Sequence, residues 1–429
     1  MRNTTVRAVN RLTTRWVRQA VTQDKGTILT AAGVWPLLAF LADGAGGPAR
    51  TELAEALGIP ADAATETARE LLTDLAGVRG LQAATGLWTR PELPLHAPWL
   101  TALPGGTHGT LTGDEATDRK ALDGWAEQQT GGLIERMPVD LTNDTLMVLA
   151  SALALRLKWI QPFWPGIVEP SEGPWAGRSA LGLRRSTSLL DRARVAQTPA
   201  GPVTLLEVVG DGGVDVHLVL GESTTCPGQV LAAGIAAVTR AVPSTGASLL
   251  PGGTPGPGLR IGTVRSADPE ASLFIKTVAF DVRADHDLLD HALLFGLHTA
   301  TNTGSGHFPG ISSEPLAIGS ARQSAMARFR AEGFDAAAVT AVAAVAGCAL
   351  PRLRYRVRQA AVSFDRPFGF LAVHRTSRLV LAAGWVADPL PYEEEQKEEK
   401  TDEEKRAEEE QDEDEQDEDE PEVDPATGR

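Results

Sequence analysis

The chain has few cysteines and no long apolar run. Its 429 residues contain two cysteines, Cys226 and Cys348, far apart in the sequence, which argues against a disulfide framework and favours two free thiols. No stretch approaches the roughly 20 consecutive apolar residues of a membrane-spanning helix, so no membrane partner is expected. Arg11, Arg15 and Arg18 interrupt the N-terminal segment. It therefore does not read as a secretory signal, and a cytoplasmic protein is expected.

The sequence also lacks the motifs by which common enzymes are identified. It has no Gly-x-Ser-x-Gly elbow, no phosphate-binding glycine loop with lysine and no Cys-x-x-Cys pair. The eight histidines do not pair at metal-ligand spacing; His286 and His291 are five residues apart on a predicted helix and do not share a face. The acidic pairs Asp114–Glu115 and Asp285–Asp287 fit helix starts better than an acid/base pair. We expect no enzymatic activity, no metal and no cofactor.

Negative charge is concentrated at the C-terminal end of the chain. Residues 393–429 contain 21 of the 56 acidic and 5 of the 40 basic side chains, so they carry the whole net charge of −16 and the preceding residues are neutral overall. Such a segment repels itself and has little to bury, which predicts disorder. A neutral body with an acidic tail argues against a nucleic-acid partner. We therefore predict one folded domain over residues 1–391 and an acidic low-complexity tail over 392–429.

The hydrophobic pattern predicts helices first and mostly strands later. Helical spacing occurs at residues 4–21, 34–42, 49–57, 64–75, 118–129, 230–242 and 286–297. Strands are predicted at residues 27–29, 81–88, 146–159, 272–282, 362–370 and 379–386, with 203–220 rich in strands. Few crossovers alternate regularly along the chain, which favours an α+β fold with large, mostly antiparallel sheets.

A long run of small side chains occupies residues 332–347. It follows the alternating segment 326–330 and leads into an arginine-rich stretch. Alanine has the highest helix propensity, so a helix is one interpretation. The other is a segment that is a loop in one state and a strand in another, and it indicates a protein whose function is a conformational change.

Several segments resemble the serpin family, and they follow the family's order. ATGLW at residues 84–88, WAEQQTGGLI at 125–134 and FDRPF at 364–368 are the closest in character. Further similar segments are found at residues 26–34, 45–58, 151–163, 308–312 and 379–386. The resemblance runs from about residue 4 to 390. It implies an α+β fold with three mostly antiparallel sheets, eight or nine helices and an exposed reactive-centre loop.

The resemblance also implies a function. A bacterial, monomeric serpin would offer its loop to a serine protease and be cleaved. It would then trap the acyl-enzyme by inserting the loop into the main sheet. The protease would be elastase-, subtilisin- or trypsin-like. Many members of the family are extracellular, which is the alternative to a cytoplasmic location. The alternative function is a non-inhibitory serpin that acts as a protease substrate or as a protein-binding module.

By resemblance, the small-residue run begins with the hinge of the reactive loop. The hinge comprises Glu332, Gly333, Phe334, Asp335, Ala336, Ala337, Ala338, Val339 and Thr340. Because alternate residues of a strand face the interior, the inward set would be Phe334, Ala336, Ala338, Thr340, Val342, Ala344 and Ala346. Inhibitory members usually have Thr or Ser where this chain has Phe334. Overpacking typically costs about 1–3 kcal/mol, so Phe334 is expected to slow insertion.

The reactive bond and the shutter also follow from the resemblance. Counting forward from the hinge puts the bond at Gly347-Cys348, which suits an elastase- or subtilisin-like protease. Counting back from Pro367 puts it near Arg356, and Arg352 or Arg354 would suit a trypsin-like one. The shutter and breach between the central strands would comprise Thr30, Gly33, Ser151, Trp159 and Gln323. Ser151 and Gln323 replace the family's Asn and His but can still bond; Thr30 and Gly33 replace serines.

Overall fold

The computed structural model describes residues 1–139, 141, 145–302, 306–334 and 354–392. Within these residues the chain forms eight α-helices. They are α1 (Asn3–Ala20), α2 (Ala31–Gly44), α3 (Gly47–Leu57), α4 (Ala64–Ala76), α5 (Ala97–Ala102), α6 (Glu115–Thr130), α7 (Pro227–Val238) and α8 (Ala292–Phe295). Helix α2 is apolar on every side and almost wholly buried, as expected for a helix surrounded by other elements.

The main sheet contains the two central strands on which the candidate site depends. Its strand order is β3 (His108–Thr110), β2 (Leu81–Thr89), β4 (Met147–Leu155), β16 (Ser320–Phe329), β17 (Gly333–Phe334) and β5 (Leu157–Lys158), and β15 (Phe280–Asp287) pairs with β16 as well. Every residue of β4 is buried. The predicted apolar central strand is therefore confirmed, although it ends at Leu155 and resumes as β5.

Two further sheets complete the described part of the chain. The buried sheet has the order β1 (Thr27–Leu29), β20 (Val380–Val386), β19 (Phe368–His374), β10 (Val214–Leu220), β9 (Gly201–Val209), β8 (Ala193–Thr198) and β11 (Ser244–Gly246). The third sheet has the order β12 (Gly253–Gly256), β13 (Leu259–Ser266), β18 (Tyr355–Ser363), β14 (Ser272–Val278), β7 (Ala180–Thr187) and β6 (Trp164–Val168). Only β2–β3, β4–β16 and β14–β18 pair in parallel among the described strands. The predicted α+β class is confirmed.

An aromatic cluster joins the main sheet to the buried sheet. The rings of Phe280 and Phe329 stack at 5.1 Å, and Phe370 lies 5.0 Å from Phe280. Phe368 contacts both Phe280 and Phe364 edge-on. Such ring pairs add about 0.5–1.5 kcal/mol beyond the apolar area that they bury. The upper part of β16 is therefore held firmly against the core.

Residues Met1–Leu390 pack as one compact unit. The predicted disorder of the acidic tail concerns residues 393–429, which lie outside the described residues. Within the described chain, no helix is long and apolar enough to span a membrane.

The predicted helix over residues 286–297 is wrong for most of its length. Strand β15 continues through His286 to Asp287, a 3-10 turn follows at Leu288–His291, and α8 is a single turn. Eight residues of β15 pair with β16, from Phe280 opposite Phe329 to Asp287 opposite Arg322. Ladder pairing therefore overrides the helical spacing of the apolar residues.

Two predicted strands also prove to be pairs of strands. Residues 362–370 are divided between β18 and β19, and Pro367, which has no N–H for a ladder, lies in the break. Residues 272–282 are divided at Ala279, where the chain passes from the third sheet to the main sheet.

Candidate functional site: the junction of the central strands

The lower halves of β4 and β16 form a closed parallel ladder. Six pairs run from Ser320 opposite Val148 to Ala325 opposite Leu153. On β16 the core-facing side chains along this ladder are small or polar, with Ala321 and Ala325 on either side of Gln323. Parallel pairing is slightly less stable per residue than antiparallel pairing. The ladder is therefore a weak seam at the centre of the sheet.

Above the ladder the two strands separate, and β17 occupies the space between them. Phe334 of β17 pairs antiparallel with Phe329 of β16 on one side and with Leu157 of β5 on the other. Gly333 lies opposite Lys158. Strand β17 therefore points along its own direction toward the seam between β4 and β16.

Trp159 anchors the turn that leads into β17. Its backbone N–H donates to the Glu332 carbonyl at 2.9 Å, and its indole N–H donates to the Arg330 carbonyl at 2.9 Å. Phe163 N–H donates to the Ala331 carbonyl at 2.7 Å. Because Trp159 is itself buried, these bonds fix the start of β17.

Phe334 is already buried in β17. Only 2% of its surface is exposed, and its ring lies 6.3 Å from that of Phe370. Insertion of the following residues would not have to bury Phe334 anew. The expectation that Phe334 slows insertion stays a prediction.

Gln323 links β16 to the start of α2. Its side-chain oxygen accepts from Thr30 N–H at 2.9 Å, and its side-chain nitrogen donates to the Thr30 carbonyl at 2.9 Å. Thr30 Oγ1 donates to the Leu381 carbonyl at 2.6 Å and accepts from Gly33 N–H at 3.4 Å as the helix N-cap. One amide thus satisfies both backbone groups of one residue, and Thr30 joins the main sheet, α2 and β20.

Ser151 lies opposite Gln323 across the seam but does not bond to it. The Ser151 hydroxyl is buried and has no hydrogen-bond partner in the described part of the chain. Gly33 lies above it, and a Cβ at position 33 would come within 2.3 Å of Ser151 Oγ. The prediction that Ser151 and Gln323 can bond is wrong, because the side-chain oxygen and nitrogen of Gln323 are both hydrogen-bonded to the backbone of Thr30. An unsatisfied buried hydroxyl costs roughly 1–3 kcal/mol.

Comparisons with known proteins agree with this geometry. The family model described as Serpin (serine protease inhibitor) matches residues 7–172 and 273–389. The chain belongs to the serpin family. A comparison with curated proteins gives no match.

Solved serpin structures share the fold at low sequence identity. Human thyroxine-binding globulin complexed with its ligand is 17% identical, with a TM-score of 0.67 over 90% of this chain and 98% of that one. The thermophilic serpin tengpin in its native state is 12% identical, with a TM-score of 0.69 over 89% and 94%. A serpin from the trematode Schistosoma haematobium is 13% identical, with a TM-score of 0.65 over 90% and 100%. Serpins are generally inhibitors of proteases rather than enzymes.

The structure brings the predicted shutter residues of this serpin together. Thr30, Gly33, Ser151 and Gln323 meet at the seam, and Trp159 lies at its upper end with Glu332. The remaining hinge and reactive-bond residues lie outside the described residues: Asp335, Ala336, Ala337, Ala338, Val339, Thr340, Gly347, Cys348 and Arg352.

Two loop arginines and one cysteine do lie within the described chain. Arg354 is exposed just before β18. Arg356, reached by counting back from Pro367, lies inside β18 opposite Arg265, which does not suit an exposed bond. Cys226 is an exposed free thiol.

His286 is a site residue that the sequence did not reveal. It pairs with Gln323 across β15 and β16, and its Nε2 donates to the Ile28 carbonyl at 2.8 Å. Its ring contacts Trp16 edge-on at 5.2 Å. Ser151, Gln323 and His286 therefore form one row across three strands. The strand-like alternation of residues 280–287 was the available signal, and the helical spacing that follows masked it.

Burial lowers the pKa of His286. The Ile28 carbonyl and Asp285 oppose this shift, whereas His291 and Lys25 add to it. The native protein therefore holds the ring neutral at pH values where the unfolded chain, with a pKa of about 6.5, is already binding a proton. Stability contributed by the neutral ring is present above about pH 6.5 and is lost as pH falls toward the native pKa.

We expect the wild-type protein to unfold more easily below about pH 6.5 and His286→Gln to reduce that dependence. Burial also lowers the pKa of His108, His217 and His374, which contribute to the dependence in the same direction. Urea midpoints measured from pH 5 to 8 check this. The exposed His298→Gln is the control. An unchanged pH dependence in His286→Gln would contradict the assignment.

We expect Gly33→Ala to destabilise the protein by roughly 1–3 kcal/mol through overlap with Ser151 Oγ. In a Ser151→Ala background the nearest remaining atoms are at 3.6 Å or beyond. The same change should then be neutral or stabilise by up to about 1 kcal/mol, since Ala is the better helix former. Urea midpoints of the four proteins in this cycle measure the coupling. Equal effects of Gly33→Ala in both backgrounds would show that Ser151 Oγ is not the obstacle.

Proposed function

We propose that this serpin inhibits a serine-type endopeptidase by suicide-substrate trapping, with insertion of the cleaved loop between β4 and β16. The observation that carries the proposal is the register of β17. Phe334 pairs with both Phe329 and Leu157, so the first step of an inserted strand is already in place. Each further residue of that strand would meet one residue of β16 and one of β4.

Continuing this register brings Thr340 to the centre of the site. Residue 340 would lie opposite Gln323 on β16 and opposite Ser151 on β4, which are partners of each other. On the same face, Ala338 would meet Ala325 and Leu153. The small side chains of the loop therefore match a closely packed seam, and the Thr340 hydroxyl would reach the unsatisfied hydroxyl of Ser151.

The exchange of strand pairings supplies a driving force. Insertion would replace one parallel ladder, β4–β16, with two antiparallel ladders, which are slightly more stable per residue. It would also give Ser151 Oγ a partner, at a site where an unmade hydrogen bond costs roughly 1–3 kcal/mol. The uninserted state would then be metastable, as a protease trap requires.

The ends of the loop explain why cleavage would be needed. In the same register residue 344 would lie opposite Met147, at the far end of β4. Residues 345–354 would then have to return to β18. Ten residues reach at most about 33–36 Å, and the inserted segment itself spans about 33 Å. An intact loop could close this path only if it were fully stretched, whereas a cut loop is free to insert.

Strand β18 is also held on both sides. It pairs with β13 over eight residues and with β14 over five, and residues 267–271 connect these two flanking strands. Both β12 and β13 fall in the part of the chain that the family model does not match. Release of β18 as an alternative to cleavage would require both ladders to break.

Incubation of the full chain with elastase, subtilisin and trypsin tests the proposal. We expect an SDS-resistant covalent complex with one of them and a rise in the melting temperature of the cleaved protein. Mass spectrometry of the released C-terminal fragment identifies the bond, with Gly347-Cys348 indicating an elastase- or subtilisin-like target and Arg352 or Arg354 a trypsin-like one. Cleavage without a complex and without a gain in thermal stability would refute trapping.

Thr340→Arg is expected to abolish the complex and leave the protein a substrate, because a charged side chain would have to enter the core beside Ser151. Ala337→Arg is the matched control. In the same register it would lie on the opposite face, between half-buried Met326 and buried Ala154 and away from the Ser151 pocket, so it should retain more of the complex than Thr340→Arg does. Equal loss in both variants would argue against the register.

A non-inhibitory role is the second candidate. The side-chain pattern at the seam favours it, because Gln323 bonds to Thr30 and the Ser151 hydroxyl has no partner in the described chain, so these two side chains do not bond across the seam. The protein would then be cleaved as an ordinary substrate or bind a partner through its surface. The protease experiment separates the two candidates.

Weakening of β13 should allow slow self-inactivation of the inhibitor. Backbone N–H groups alternate in direction along a strand, so one of Thr263 and Val264 donates toward β18 and the other points away from it. We expect Pro at one position, but not at the other, to cause loss of inhibitory activity over days at 37 °C without cleavage. Residual activity and intact mass measure this. Equal stability of both variants would show that β13 does not retain β18.

A further inference from the structure

The exposed face of the third sheet carries a cavity of about 1440 Å³. Three large apolar side chains line it and yet are exposed: Ile160 by 63%, Trp164 by 60% and Phe274 by 46%. Exposed apolar side chains that cluster in a concavity, rather than singly, indicate a binding surface.

The strand register groups the polar and aromatic residues of this face. Arg184 on β7 lies directly opposite Trp164 on β6 and directly opposite Lys276 on β14. Phe274 lies two residues before Lys276 on the same strand and so on the same face. The cation pair therefore has one aromatic ring, that of Trp164, on the strand next to Arg184. A second ring, that of Phe274, lies about 7 Å from Lys276 along β14.

The two cations lack an acidic partner. Like charges directly opposite each other in a sheet are destabilising, and neither Arg184 nor Lys276 forms an ion pair with any described residue. Arg184 donates only to the Ile167 carbonyl at 2.9 Å. Three carboxylates line the cavity, those of Glu172, Glu222 and Asp365. None of them forms an ion pair with a described residue, and Asp365 accepts from Ser363 Oγ at 2.9 Å. The pair is therefore free to hold an external anion.

Arg185 adds positive charge from the inner side of the same strand. It is buried, its guanidinium carbon lies 4.3 Å from the centre of the Phe163 ring, and its Nε has no partner among the described residues. Burial, with a smaller contribution from Arg192, lowers the pKa of Arg185 to about 10. It is still charged at neutral pH, and no carboxylate neutralises it within the described chain. A charge buried without a counter-ion raises the potential of the adjoining surface.

We propose that this cavity binds a small aromatic anion: a flat apolar body that carries one carboxylate, sulfonate or phosphate group. The anionic group lies between Arg184 and Lys276, and the ring packs on Phe274, with Trp164 at the other side of Arg184. The aromatic rings supply apolar contact area, and the cation pair fixes orientation and selects for charge. The ligand relieves a repulsion that the free protein leaves uncompensated.

Three probes of graded chemistry test the proposal by titration calorimetry with the full chain. 1-Naphthalenesulfonate has both the ring and the charge, 1-naphthalenemethanol has the ring alone, and inorganic sulfate has the charge alone. We expect the sulfonate to bind at one site at least tenfold more tightly than either of the others. Equal binding of the neutral alcohol, or of sulfate, would overturn the proposal.

Variants locate the site. Arg184→Gln/Lys276→Gln and Phe274→Ser should each weaken sulfonate binding at least tenfold. The matched control is Arg265→Gln/Arg356→Gln, which removes two exposed, directly opposed arginines of the same sheet that do not line the cavity. If the control weakens binding as much, the effect is one of overall charge and the proposed site is wrong. Melting temperatures within about 2 °C of wild type verify that each variant is folded.

Protease trapping is not involved in these titrations. Their failure therefore leaves the proposed inhibitory function intact, and loss of trapping leaves the ligand site intact.

Discussion

The parallel pairing of β4 with β16 is the constraint on which the rest of this serpin depends. These strands are the middle of the main sheet, and every residue of β4 is buried. They are nevertheless held together by the weaker kind of ladder, with a hydroxyl at its centre that nothing in the described chain satisfies. Such a seam persists in the folded protein. An antiparallel strand placed between β4 and β16 would nevertheless be stabilised by a stronger ladder and by a hydrogen bond to that hydroxyl.

Polar contacts at the seam are distributed unequally between its two sides. Gln323 satisfies both backbone groups of Thr30, and through Thr30 it holds the main sheet to α2 and β20. On the other side Ser151 contributes only bulk, which Gly33 accommodates by having no side chain. On the β16 side a side chain is therefore hydrogen-bonded to the N-cap of α2, whereas β4 is held by its backbone ladder with β2 and by packing. If the sheet opens, we expect β4 to be the side that moves.

The spacing of apolar residues was sufficient to predict the position of a helix or strand wherever that element buries one face. Helices α1 to α4 and strands β1, β2 and β20 lie within a few residues of their predicted positions, because their apolar spacing matches the face that they bury. Apolar spacing gave the wrong element at residues 286–297. There the secondary structure is decided by strand pairing between β15 and β16, whose partners are distant in sequence. The resemblance singled out Ser151 and Gln323, and the structure places them opposite each other on β4 and β16. It could not indicate that Gln323 bonds Thr30 or that His286 lies beside it, because both depend on the packing of α2 and β15.

The different anchoring of the two ends of the loop has a mechanical consequence. At one end, β17 is two residues long and makes one pair with β16 and two with β5. At the other end, β18 is clasped along its length by β13 and β14, so tension directed along the strand loads many hydrogen bonds at once in shear. We therefore expect tension applied between Phe334 and Tyr355 to release β17 before β18. In this respect β18 is the resistant attachment and β17 the weak one.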